Sequence, residues 1–73
     1  MDNTLLLKDL ARISGQSIHT LKYYLKIGLI KETGRSPETR FRYFNNSTLR
    51  RLAKIRKLRR QNKSIREIQE MLK

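Results

Sequence analysis

The chain has no cysteine and no tryptophan among its 73 residues, a single proline and only three glycines. Without cysteine, neither a disulfide nor a thiolate-bound metal can staple the fold, and a reducing compartment suits it. No apolar run approaches the ~20 residues a bilayer-spanning helix needs, and nothing has the form of a signal peptide. Catalytic groups are equally scarce. His19 is the only histidine, with no second metal ligand near it in sequence, and no glycine-rich phosphate loop is present. Glu67 and Glu70 share a helix face but lie beside Lys63 and Arg66, an ordinary helix charge pattern. These absences point away from an enzyme, and neither a cofactor nor a metal is expected.

The scarcest charge is the negative one. Six Asp and Glu stand against 18 Lys and Arg, a formal net charge of +12. Self-repulsion of that size works against a compact state, so a polyanionic partner is expected, nucleic acid before an anionic membrane or an acidic protein. Membrane binding is disfavoured because the cations do not segregate from an apolar face. At this length one domain, residues 1–73, is expected. A chain this short buries only about 60% of the surface its unfolded form exposes, so the core should be thin.

Hydrophobic spacing predicts four helices. In "LLLKDLARIS", Leu7, Leu10 and Ala11 share a face with Ile13 at its edge, and Gly15 suits the left-handed residue that ends a helix. Ser17 then caps a second helix after a short turn, the spacing of a helix-turn-helix over about residues 7–27. On that second helix Ile18, Leu21 and Leu25 cluster on one side. Tyr23 falls nearly opposite, flanked by His19, Thr20 and Lys26, with Lys22 and Tyr24 at the borders. The helix is expected to stop near Gly28, with Leu29 and Ile30 returning to the core.

Turn chemistry in Gly34, Ser36 and Pro37 divides two short extended pieces, a hairpin within about residues 29–44. Alternation in "TRFRY" sets Phe41 and Tyr43 on one face and Arg40 and Arg42 on the other. Asn45 can cap a third helix, roughly residues 46–61, with Phe44 and Leu49 placed for a hydrophobic staple and Asn62 for a left-handed stop. Leu49, Leu52, Ala53, Ile55 and Leu58 supply its apolar side. "SIRE", from Ser64 to Glu67, is a capping box opening a last helix whose Ile65, Ile68 and Leu72 face inward. The expected class is mainly α: a winged helix-turn-helix with four helices and a two-stranded β-hairpin wing, in the order α-α-β-β-α-α.

A helix fits the major groove of B-DNA, where side chains reach base edges and flanking phosphates. Ser17, His19, Thr20, Lys22, Tyr23, Tyr24 and Lys26 are therefore candidate contacts from the second helix. Arg35, Arg40 and Arg42 suit phosphate binding from the hairpin, or entry of its tip into the minor groove. The third helix carries eight cations and no acid from Arg50 to Lys63; Arg50, Arg51 and Lys54 are the ones expected at phosphates, the others supplying long-range attraction.

Together, the stretches "LARISGQSIHTLKYYLKIGLI", "RFRYFNNSTLRRLAKIRKLR" and "SIREIQEML" resemble the N-terminal DNA-binding domain of MerR-family transcriptional regulators, from about Leu7 to Leu72. The tyrosine pair before Gly-Leu-Ile, joined to the later Arg-aromatic and Leu-Arg-Arg-Leu patterns, carries the resemblance. It implies a recognition helix in the major groove, with a tyrosine of the pair and a wing arginine on the backbone, roles that fall on Tyr23, Tyr24 and Arg42. Three positions depart from the family pattern. His19 stands where an arginine is frequent, Leu25 where an acid is common, and Leu6 where a serine or threonine caps the first helix, leaving Thr4 as a candidate cap. Family members continue into a long dimerising helix and a sensor region, so this chain is expected to be either a cut-out head or a small stand-alone relative.

The expected function is sequence-specific double-stranded DNA binding in a bacterial or phage transcription regulator, cytoplasmic and on the nucleoid. The chain itself is expected to be a monomer, and a longer parent a homodimer. One alternative is a DNA-bending architectural or excisionase-like factor using the same surface. Another, of a different class, is RNA or ribosome binding through the basic third helix.

Overall fold

A computed structural model describes residues 4–72; both ends of the expected 1–73 unit lie outside them. The elements run β1 (Leu5–Leu6), α1 (Leu7–Ser14), α2 (Ile18–Lys26), β2 (Gly34–Arg35), β3 (Arg42–Phe44), α3 (Asn46–Arg60) and α4 (Ile65–Met71). β3 is the central strand of an antiparallel sheet of order β1-β3-β2. Leu5 pairs with Phe44 and Leu6 with Tyr43 on one side; Gly34 pairs with Tyr43 and Arg35 with Arg42 on the other. The hairpin expected from the sequence is thus a three-stranded sheet. β1 escapes sequence reading because three consecutive leucines fit a helix start as well as a strand.

Local chemistry accounts for the ends of the helices. Leu6 takes the cap position of α1, with its backbone N–H donating to the Asp9 carboxylate at 2.9 Å; Thr4 does not serve there. An acid in the first turn also suits the helix dipole. Gly15 closes α1 in the left-handed region at φ 75°, and Arg56 of α3 donates from Nη1 to the Ser14 carbonyl at 3.2 Å. α2 ends in a Schellman turn around Gly28 (φ 78°), in which Leu29 N–H donates to the Tyr24 carbonyl at 2.9 Å and Gly28 N–H to Leu25 at 3.2 Å. The same pattern recurs after α3 with asparagine in the special position: Asn62 has φ 65°, and Lys63 N–H donates to the Leu58 carbonyl at 3.1 Å. Ser64 and Glu67 form the expected reciprocal capping box at the start of α4.

The core is a single cluster in which Leu10, Leu21, Phe44, Ile55 and Ile68 are fully enclosed, with Leu29, Ile30 and Leu52 nearly so. α1 packs on α2, on α3 and on the sheet, while α4 closes over α3. Phe44 holds the sheet to this core, and Leu49 packs at its margin, as a staple across the Asn45 cap requires. Several expectations shift. Ile18 is 42% exposed and Ile13 49%, while Ala53 is exposed and Leu25 only partly buried. On α2 the buried stripe is centred on Leu21 and Tyr24, so its phase leans further toward Tyr24 than a wheel counting tyrosine as polar indicates. A phenol ring buries a large apolar area while its hydroxyl can remain near water.

Candidate nucleic-acid interface

The turn between α1 and α2 sets the outward face of α2. Ser17 accepts the Thr20 N–H at 3.0 Å and its hydroxyl donates to Thr20 Oγ1 at 2.9 Å, so both hydroxyls lock the first turn. With Leu21 and Tyr24 buried behind, His19, Lys22, Tyr23 and Lys26 stand exposed. Tyr23 is 48% exposed and its ring lies 6.3 Å from that of Tyr24, tilted by 50°. Tyr24 itself is 5% exposed, which corrects its expected place at the border: its ring is a core group beneath the face rather than part of it.

The far end of α2 is fixed by two other helices. Gln69 of α4 donates from Nε2 to the Ile27 carbonyl at 3.1 Å. Arg51 of α3 donates from Nε to the Leu29 carbonyl at 2.6 Å and from Nη2 to the Leu72 carbonyl at 3.4 Å. Arg51 is therefore turned inward, joining α3, the turn after α2 and the end of α4. Arg51, one of the residues expected at a phosphate, is thus committed through Nε and Nη2 to these two part-buried carbonyls. Arg50 and Lys54 on the same helix remain exposed.

The wing supplies three arginines. A tight turn carries Pro37 across the tip, with Ser36 N–H donating to the Phe41 carbonyl at 3.0 Å and Arg40 N–H to the Ser36 carbonyl at 2.7 Å. Arg40 occupies the left-handed region at φ 61°, where a side chain other than glycine is strained. Arg35 and Arg42 are direct cross-strand partners, a like-charge pairing that disfavours the sheet on its own. Glu32 offsets it. Its Oε1 accepts from Arg35 Nε at 3.0 Å and its Oε2 lies 3.0 Å from Arg42 Nε. The Tyr43 ring lies over Gly34, where an added Cβ would come within 2.6 Å of Cζ, so any side chain there would push the ring aside. Phe41 is 62% exposed, unlike Phe44, so the alternation in "TRFRY" does not bring Phe41 into the core.

His19, Lys22, Tyr23, Lys26 and the three wing arginines are exposed, as expected from the sequence, while the contacts made by Glu32, Gln69 and Arg51 were not expected from it. Only Glu32 left a signal, as the one acid between the end of α2 and the wing's first arginine. Among the described residues no group of acids and histidines could hold a metal ion. No helix among them is long and apolar enough to cross a membrane.

Comparison with known proteins agrees with this arrangement. Residues 6–73 match the family described as MerR HTH family regulatory protein. The crystal structure of a MerR-family transcriptional regulator from Bacillus cereus is similar in fold, with a TM-score of 0.89 and 24% sequence identity over 96% of this chain. The aligned part is 52% of that chain, so the present sequence spans about half its length. No curated protein matches. With the family match extending over nearly every residue of the helix-turn-helix, wing and helix pair, the chain belongs to the MerR helix-turn-helix family of regulatory proteins.

Proposed function

We propose that this chain is the DNA-binding head of a transcription regulator, reading double-stranded DNA with α2 in the major groove and the wing on the sugar-phosphate backbone. The observation that carries the reading is the outward face of α2. His19, Lys22, Tyr23 and Lys26 are exposed together, on a helix locked behind by Leu21 and Tyr24 and capped at both ends. A rigid helix presenting donors, a ring and cations matches what base-edge and phosphate contacts need. Arg40 and the Arg35–Arg42 pair would grip phosphates beside it, and Arg50 and Lys54 would add contacts from α3. The net charge of +12 supplies the long-range attraction.

Selection of bound sites from a pool of random duplexes tests the specificity. A recovered common sequence supports readout by α2, and no enrichment over the starting pool refutes it. The spacing of recovered half-sites separates a regulator, with an inverted repeat, from an architectural factor, with tandem copies. A salt titration tests the charge half. If about six phosphates are neutralised, log affinity should fall with log salt at a slope near −5, and a flat response would remove the electrostatic argument.

A further inference from the structure

We propose that Glu32 is a positioning residue for DNA recognition: by bridging Arg35 and Arg42 it shapes the two guanidinium groups into one fork for a backbone phosphate. The inference rests on the DNA-binding reading above and adds to it an acid that attraction alone would count against binding.

The geometry is specific. β2 and β3 place Arg35 and Arg42 opposite each other, where two unbridged cations would splay apart. Glu32 precedes β2 and reaches both, 3.0 Å from each Nε through separate oxygens. Its Oε2 is out of solvent and accepts no hydrogen bond, so Arg42 is held by charge while Arg35 is held by a hydrogen bond to Oε1; the side chain as a whole is 32% exposed. Because the carboxylate uses the Nε edges, it leaves the terminal nitrogens of both arginines available. The two side chains keep 52% and 41% of their surface exposed, and no other ion pair or hydrogen bond of theirs occurs among the described residues. A guanidinium presents five N–H donors in a fixed plane, so holding one edge fixes the direction of the others. The Arg35 plane fixed by its hydrogen bond, with Arg42 drawn to the other oxygen of the same carboxylate by charge, forms a preset receptor for a tetrahedral oxyanion. Phosphate contacts set the register of a protein on the duplex, so a misaimed fork would blur where α2 meets the bases.

The test turns on a difference of sign. Glu32→Gln removes one negative charge from a protein that is already strongly basic. If Glu32 matters only as a charge, the variant binds every duplex more tightly. If it positions the arginines, affinity for the selected site falls by about tenfold, the weight of one good contact, while affinity for random-sequence duplex holds or rises. Glu38→Gln is the control, since it removes the same charge from the exposed wing loop and should tighten both. A double-mutant cycle then asks whether Glu32 works through its partner: Arg42→Ala should cost less site affinity in the Glu32→Gln background than in the wild type. The cycle uses affinities of protein shown to be folded by circular dichroism, and Glu32→Ala takes the place of Glu32→Gln if that variant does not fold.

An unchanged ratio of specific to random-duplex affinity in Glu32→Gln overturns the inference, even if the melting temperature drops, because that pattern describes a purely structural acid. Additive effects in the cycle overturn it as well. If the wild type shows no site preference at all, the DNA-reading proposal fails and this one falls with it. A wild-type preference that survives Glu32→Gln removes only the inference about Glu32.

Discussion

Replacing Arg51 by methionine separates its two possible roles. The substitution keeps an apolar stem of similar length and deletes the guanidinium, so packing is largely conserved. What is lost is one short charge-assisted bond, 2.6 Å to the carbonyl of Leu29, and one long one, 3.4 Å to the carbonyl of Leu72. A hydrogen bond from a charged group contributes about 1.5–3 kcal/mol, and the bond at 3.4 Å adds little. Leu29 is 1% exposed as a residue, and Arg51 is the donor that reaches its part-buried carbonyl. An open groove lined by Lys31, Ser47, Thr48 and Gln69 adjoins it and admits water, which puts the net loss at about 2 kcal/mol. For a domain of this size, total stability is of order 4–11 kcal/mol, and each kcal/mol moves the midpoint of melting by roughly 4–8 °C. The expected drop is therefore about 8–16 °C, measured by circular dichroism at 222 nm. Well below the new midpoint, duplex affinity and its salt slope should match the wild type. A melting temperature within about 2 °C of wild type, together with a salt slope shallower by about one, would refute the reasoning and make Arg51 a phosphate ligand.

Other substitutions probe the remaining parts. Tyr23→Ala should weaken binding to a selected duplex by ~1–2 kcal/mol in a fluorescence titration with little change in melting, whereas Leu21→Ala should cost ~2–5 kcal/mol of stability in urea unfolding. Exchange of those two outcomes would mean that the face of α2 is wrongly assigned. Arg40→Gly relieves the left-handed backbone and should raise stability by roughly 0.5–1 kcal/mol after the entropy of the added glycine, while weakening duplex binding and flattening its salt slope. Loss of stability there would remove the strain argument. Ser64→Ala should cost about 1 kcal/mol by unmaking the capping box of α4. The backbone N–H and hydroxyl of Ser64 hold the Glu67 carboxyl below its usual range, with Lys63 adding to the effect. A carboxyl depressed in the folded state stabilises above its unfolded pKa, and that contribution disappears as pH falls through the folded value. Glu67→Gln should therefore lose less stability than the wild type between pH 7 and pH 3 in paired urea titrations.

Most helix boundaries were legible because their signals are local. Ser17, Asn45 and the Ser64–Glu67 box act within three residues of themselves, and Gly15, Gly28 and Asn62 act on their own backbone angles. The phase of α2 was harder, because a helical wheel cannot weigh the apolar body of tyrosine against its hydroxyl; Tyr24 is the residue on which the two readings differ. β1 was illegible for another reason: two leucines become a strand only because Tyr43 and Phe44, distant in sequence, offer an edge. The inward turn of Arg51 belongs to the same class. Nothing in the cation run from Arg50 to Lys63 distinguishes it, and its partners are carbonyls 22 and 21 residues away.

The short strand at the start of the described chain has a mechanical consequence. β1 runs directly into α1 and pairs with the central strand of the wing, so backbone hydrogen bonds weld the helix-turn-helix to the hairpin. Among the described residues no linker separates β1 from α1. On the proposed function, a duplex docking against both the helix-turn-helix and the hairpin would meet a ruler of set length, and a mismatch in its groove-to-backbone spacing would fall on the nucleic acid.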